Sequence, residues 1–158
     1  MRILSETLLS LVGVGKSFKE VNALTHVDLE IKSGQVIGLV GGNGAGKTTL
    51  LRLMAGVMEP SKGSINFQDK PVSSMRNKLG VVPESTGLYS RLTAWENIRY
   101  HSRIYGIDDE IAWNRVNHFA NLLDITEALS RHTKGFSKGM RQKTALLGAL
   151  AHGPDILL

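Results

Sequence analysis

The 158 residues include no cysteine, which excludes disulfides and thiolate metal ligands and fits a reducing compartment. Long apolar runs are lacking too. Stretches such as "VIGLV" fall far short of the roughly 20 residues that span a bilayer, so any membrane role has to come through a partner. The opening "MRILSETLLSLVGVGK" imitates a secretory leader only faintly. Ser5, Glu6 and Thr7 break its apolar run, and no small-residue cleavage pattern follows. There is no internal repeat and no low-complexity linker. The length suits one domain with a proper core, and a cytosolic protein is expected.

What is present is ordinary in bulk: 42% hydrophobic and 21% charged residues. The net charge of +5 suits anionic ligands such as nucleotides, nucleic acids or acidic headgroups. The lysines and arginines are scattered rather than blocked, so a solvated basic surface is favoured over a nucleic-acid face, and no nucleic acid is expected.

Periodicity outlines the elements. Strands are expected over Leu8–Val14 and Leu24–Ile31, the second with Val27, Leu29 and Ile31 on one face. "QVIGLV", apolar on both faces, is expected to be a central strand covered by helices. A helix is expected from Lys47, with Leu50, Leu51, Leu53 and Met54 at helical spacing and Gly56 as its C-cap. "SINF" and "KLGVV" are expected strands. Helices then follow from the capping box Thr93–Glu96, from Asp108–Asp109, and over Lys138–Ala151 after Ser137. The closing Ile156, Leu157 and Leu158 follow a Gly153–Pro154 turn and open a buried strand. The five histidines are unclustered and read as surface or capping residues. Asp108–Asp109–Glu110 reads as a helix start rather than a metal site.

"GGNGAGKT" carries the chemistry. Gly41, Gly42, Asn43, Gly44, Ala45, Gly46, Lys47 and Thr48 fit G-x-x-x-x-G-K-[ST] between an expected strand and an expected helix. Glycines let backbone N–H groups approach phosphate oxygens unobstructed, and the helix that follows aims its positive end at the same spot. Lys47 can reach the β- and γ-phosphates, the Thr48 hydroxyl can hold Mg²⁺, and Thr49 is placed for the α-phosphate.

"FSKGMRQK" at Phe136–Lys143 narrows the class. Together with the phosphate loop, it resembles the nucleotide-binding domain of ABC transporters, whose motifs occur in order from about Leu8 to the last residue. The resemblance implies an α/β phosphate-loop fold: a core sheet, an antiparallel β subdomain and a helical insert, with the C-terminal part of the fold missing. It implies ATP and Mg²⁺ as ligands. It also implies that Ser137, Lys138, Gly139 and Met140 form the signature that faces ATP held by an opposite subunit. Lys138 stands where many members have glycine, and Met140 where many have glutamine. The "SKGM" form resembles exporters with separate membrane subunits. Phe18 falls where members place an aromatic ring against adenine. Glu84 falls where glutamine is usual, close to Mg²⁺. A carboxylate keeps the metal role, because hard cations take oxygen ligands.

From the same resemblance the layout is residues 1–84 as the ATP-binding core with its β subdomain, 85–137 as the helical subdomain, and 138–158 as the signature helix and the start of the metal-binding strand. Expected partners are a second ATP-binding subunit and transmembrane permease subunits, with the chain peripheral at the inner face of the membrane. Alternatives are a non-hydrolysing nucleotide-binding fragment, or a soluble relative acting on ribosomes or DNA. "PDILL" resembles the first half of the strand that leads to the catalytic carboxylates. No catalytic residue is therefore expected in the chain, and an uncovered sheet edge is. The 158-residue chain is expected to bind ATP weakly and to turn it over poorly or not at all. Turnover by the pure chain that Lys47→Ala abolishes would overturn that expectation.

Overall fold

Alternating apolar residues build an antiparallel hairpin from β1 (Thr7–Phe18) and β2 (Val21–Lys32). The structure, a computed structural model, describes residues 6–158, so Met1–Ser5, at the start of the leader-like stretch, lie outside it. Leu9 pairs with Ile31, Leu11 with Leu29 and Val14 with Val27. Leu9, Leu11 and Val14 are buried although their numbering changes parity. A register shift between Leu11 and Val14 accounts for this, since one extra residue flips which side chains face inward. Both strands run further than expected, to a turn at Lys19 with φ 53°. β3 (Lys62–Phe67) pairs with the other side of β1, and β4 (Lys70–Pro71) completes the sheet order β2-β1-β3-β4.

Helix α1 (Lys47–Met54) buries Leu50, Leu53 and Met54, while Leu51 remains exposed. The helix stops where expected. Gly56 has φ +67° and donates its N–H to the Leu53 carbonyl at 3.0 Å, while Val57 N donates to Arg52 O at 3.2 Å. One expectation fails nearby. "QVIGLV" is not a strand: Val36 is fully exposed and Val40 94% exposed. Hydrophobicity alone does not make a strand. It needs a hydrogen-bonded neighbour, and no strand among the described residues pairs with this segment.

These elements belong to a compact unit reaching to Arg76, and a second unit runs from Asn77 to Leu158. The second unit is built from helices α2 (Ala94–Ile104), α3 (Asp109–Leu122) and α4 (Lys138–Leu150). Its core gathers Ile98, Val116, Leu129, Phe136 and Leu147, with Phe119 and Leu123 half-buried beside them. Each helix starts on the expected cap. Thr93 and Glu96 exchange both bonds of the capping box (Glu96 N to Thr93 Oγ1 at 3.1 Å, Thr93 N to Glu96 Oε2 at 2.7 Å). Asp108 accepts from Glu110 N, and Ser137 accepts from Met140 N.

A short parallel ladder joins β5 (Leu79–Gly80) to β6 (Ile156–Leu157). "KLGVV" contributes only these two strand residues, but Val82 N still reaches Leu158 O at 2.8 Å. Ile156 is buried, as expected of "DILL", whereas Leu157 is exposed.

Sequence patterning missed the polar centre of this unit. Asn97, 1% exposed, accepts from Tyr89 N at 2.8 Å and donates to the carbonyls of Tyr89 and Thr93 at 3.1 and 2.8 Å. Buried Thr133 adds its hydroxyl to Tyr89 O at 3.0 Å. Asn97→Ala leaves Tyr89 N without its partner at a sealed site and removes the side-chain amide from the Tyr89 and Thr93 carbonyls, which keep other donors, and should cost about 2 kcal/mol. Thr93→Ala removes one cap and should cost about 1 kcal/mol. Urea unfolding of the two variants should rank them in that order.

Candidate functional site

The phosphate loop is shaped by its glycines. Gly44 and Gly46 have φ +81° and +86°, conformations that L side chains rarely adopt. Gly46 is doubly constrained, because a Cβ there would lie 2.6 Å from the Ala23 carbonyl oxygen and 2.7 Å from Leu24 Cδ2. At Gly42 and Gly44, by contrast, a Cβ would meet nothing within 4 Å. The loop is therefore braced at its helix end and open along its length.

Helix α1 begins on Gly46 with no side-chain cap and no acidic residue in its first turn. Its first intrahelical bond runs from Leu50 N to Gly46 O at 2.8 Å. The N–H groups of Lys47, Thr48 and Thr49 precede that bond and are free to meet an anion at the positive end of the helix. Lys47 folds back across the loop, and its Nζ donates to the carbonyls of Gly41 and Gly42 at 2.7 Å each. An ammonium has three donors, so one proton remains for a ligand. Asn43 and Ala45 are exposed on the loop, as is Thr48 at the start of the helix.

Phe18 ends β1 with 44% of its surface exposed, and the Lys16 ammonium lies 5.3 Å from its ring centroid. Phe18 and the phosphate loop belong to the unit ending at Arg76, whereas Glu84 and the signature belong to the other. Glu84 is exposed and forms no ion pair among the described residues. Ser137, Lys138 and Gly139 are exposed at the start of α4, and Met140 is half-buried against the core. A Cβ at Gly139 would touch only Ser137 Oγ, at 4.0 Å. Beneath this helix start, Arg141 anchors the preceding turn by donating from Nε to Phe136 O at 3.3 Å. No group of three or more metal-ligating side chains occurs among the described residues.

A cavity of about 190 Å³ in the second unit is lined by Val81, Leu88, Asn97, His101, Tyr105 and His152, among others. His152 departs from the expectation for the histidines, because it is buried. Its ring stacks on Tyr105 with centroids 4.0 Å apart, and its Nε2 lies 3.2 Å from Leu79 O. A carbonyl partner requires a proton on Nε2, which leaves Nδ1 as the acceptor of a neutral ring. Helix α4 brings His152 inward at its C-terminal end, where Arg115 also donates to Ala151 O at 2.7 Å. No pattern in the sequence distinguished this histidine from the other four.

A mixed α/β fold with an uncapped glycine loop ahead of a helix defines a phosphate-loop type of protein. Comparison with known proteins narrows this further. Residues 24–158 match the ABC transporter family. The chain is 41% identical over 145 residues to the ABC transporter ATP-binding protein NatA of Bacillus subtilis, covering 89% of this chain and 59% of that protein. It is 36% identical to the trehalose/maltose import ATP-binding protein MalK of Thermococcus litoralis, over 94% of this chain and 42% of that one. Among solved structures, the ATP-binding subunit of an ABC transporter superposes with a TM-score of 0.84 at 28% identity, covering 96% of this chain and 65% of that one. Clostridium perfringens cbiO1, part of the ABC transporter complex cbiONQ, shares the fold at a TM-score of 0.83 and 24% identity, covering 96% of this chain and 64% of that one. The chain belongs to the ABC transporter family. It spans roughly half the length of the curated relatives it matches.

The cavity's histidines set the response to acid. Desolvation holds His152 below the ordinary histidine value of 6.5, opposed by its bond to the Leu79 carbonyl and aided by the Arg115 charge, and partial desolvation shifts the more exposed His101 the same way. The unfolded chain therefore takes up these protons first. Their contribution to stability is complete above about pH 6.5 and is lost as pH falls towards the depressed folded values. The urea midpoint should drop between pH 7 and pH 5. His152→Phe, which keeps a ring against Tyr105, should flatten part of that drop.

Proposed function

We propose that this chain is the ATP-binding part of an ABC transporter, in which ATP held on Gly41–Thr49 drives transport through separate membrane subunits. The observation that carries the reading is the open loop ahead of an uncapped helix, with the Lys47 ammonium laid across it. Backbone N–H groups at the first turn meet phosphate oxygens, and Lys47 turns its free proton to the β- and γ-phosphates. Phe18 offers an exposed ring to adenine.

Mg²⁺ fits the donors available. The exposed Thr48 hydroxyl beside the phosphate loop is a hard oxygen donor, the class this ion takes, and Glu84 of the other unit carries an exposed carboxylate of the same chemical class. Once bound, it would neutralise charge on the β- and γ-phosphates. Ser137–Met140 present an exposed helix start to ATP held by a second copy, so that two subunits close head to tail. Pro83, Thr86 and Leu88 border the cavity, and in this reading the surface around Glu84, Leu88 and Tyr89 receives the permease subunits, with the chain at the inner membrane face. The "SKGM" form supports the exporter type, and transport by vesicles reconstituted with the permease subunits distinguishes export from import.

Lys47→Ala removes a charge-assisted contact to phosphate. It should weaken MgATP binding at least ten-fold, on the order of what such a bond contributes. Calorimetric titration of the two chains measures it, and equal affinities would sink the reading.

A further inference from the structure

We infer that Lys16 is a positioning residue for the nucleotide base: its ammonium occupies one face of the Phe18 ring and leaves the other as the platform for a purine. The inference rests on the reading of Phe18 as that platform.

Three observations carry it. The Lys16 Nζ stands 5.3 Å from the ring centroid, within the range at which a cation is drawn to an aromatic face. Its position is fixed by a bond to the Glu59 carbonyl at 2.8 Å, and it forms no ion pair among the described residues. The same strand end is stitched to the turn that follows α1, through Ser61 N to Gly15 O at 2.8 Å and Ser17 N to Ser61 Oγ at 3.2 Å. Lys16 is thus one of several ties that hold the end of β1 against the segment leaving the phosphate-loop helix.

The hairpin also sets these residues beside the loop. Lys16 pairs with Leu24 across the two strands, and Leu24 is the residue packed against Gly46. A phenyl ring at the end of a hairpin is otherwise free to turn in solvent. An ammonium anchored on one face orders it before the ligand arrives, which lowers the ordering cost of stacking. A base on the opposite face completes a cation–ring–purine sandwich.

The test is titration of the chain with MgATP and, separately, with magnesium tripolyphosphate, which has the phosphates without the base. Lys16→Met should weaken MgATP about two- to five-fold and leave tripolyphosphate affinity unchanged. Lys16→Arg should restore the affinity, because guanidinium also stacks on rings and donates to carbonyls. Phe18→Ala should weaken MgATP further while sparing tripolyphosphate. If Phe18→Ala leaves MgATP binding intact, the platform reading itself fails. If Phe18→Ala weakens it but Lys16→Met does not, or tightens it, the role of Lys16 is overturned and the platform stands. Equal losses on both ligands with Lys16→Met would likewise overturn it, since they would place Lys16 on the phosphates or in the fold.

Discussion

The close approach of Gly46 to β2 is the constraint on which the rest of the candidate site depends. With φ +86° and no room for a Cβ between the Ala23 carbonyl and the Leu24 side chain, only glycine serves there. That contact fixes where α1 begins, and therefore where its unbonded N–H groups point. It also ties the phosphate loop to the strand whose partner carries Lys16 and Phe18. A side chain at position 46 would push helix and hairpin apart, separating the glycine-rich loop from the end of β1 that carries Phe18. The two halves of a nucleotide are chemically unlike, one anionic and one flat and apolar. In the proposed reading, holding the receptors for those two halves in register is what the glycine contributes.

The second unit is governed differently, by polar atoms sealed inside it. Asn97 and Thr133 bind the backbone of the segment from Tyr89 to Thr93, which has no regular structure of its own. Buried carbonyls that lack such partners are costly, so these two side chains largely decide the path of the loop. Thr133 also opens the turn that leads to Phe136 and the cap at Ser137, through Phe136 N to Thr133 O at 3.1 Å. The loop after Glu84 and the start of the signature helix therefore share one set of hydrogen bonds.

What the sequence made legible follows from the range over which each signal acts. Caps are local: Thr93, Asp108 and Ser137 each bond within three residues, and all three were readable in advance. The hydrophobic period of β2, the end of α1 at Gly56 and the burial of Ile156 were readable for the same reason. The failures are non-local. "QVIGLV" has the composition of a central strand but no pairing strand among the described residues, and composition carries no information about pairing. The Leu11–Val14 register shift, the burial of His152 and the bond from Thr133 to Tyr89 depend on residues far away in the chain, while Asn97 bonds to nearby but irregular backbone that no period marks. Within the candidate site, the residue types of the loop were legible from spacing. The fold of Lys47 onto Gly41 and Gly42, and of Lys16 onto Phe18, was not, because both depend on side-chain conformation rather than pattern.

Those two lysines share a property that bears on how a basic chain keeps its charge available. Lys16 and Lys47 are both held by main-chain carbonyls, at 2.7 to 2.8 Å, and neither is paired with a carboxylate among the described residues. A carboxylate partner would orient an ammonium equally well but would cancel its charge, and an arriving phosphate would then have to compete with it. A carbonyl orients by dipole and leaves the full positive charge in place. Elsewhere the chain does use charge pairs, as between Arg103 and Asp109, where Arg103 Nη2 stands 2.6 Å from the carboxylate on an exposed helix face. The contrast separates two uses of the same side-chain chemistry. Carbonyl-held cations brace the fold as well, as Arg115 does at Ala151 O and Arg141 at Phe136 O, and at the candidate nucleotide site the same device aims a charge that stays unpaired.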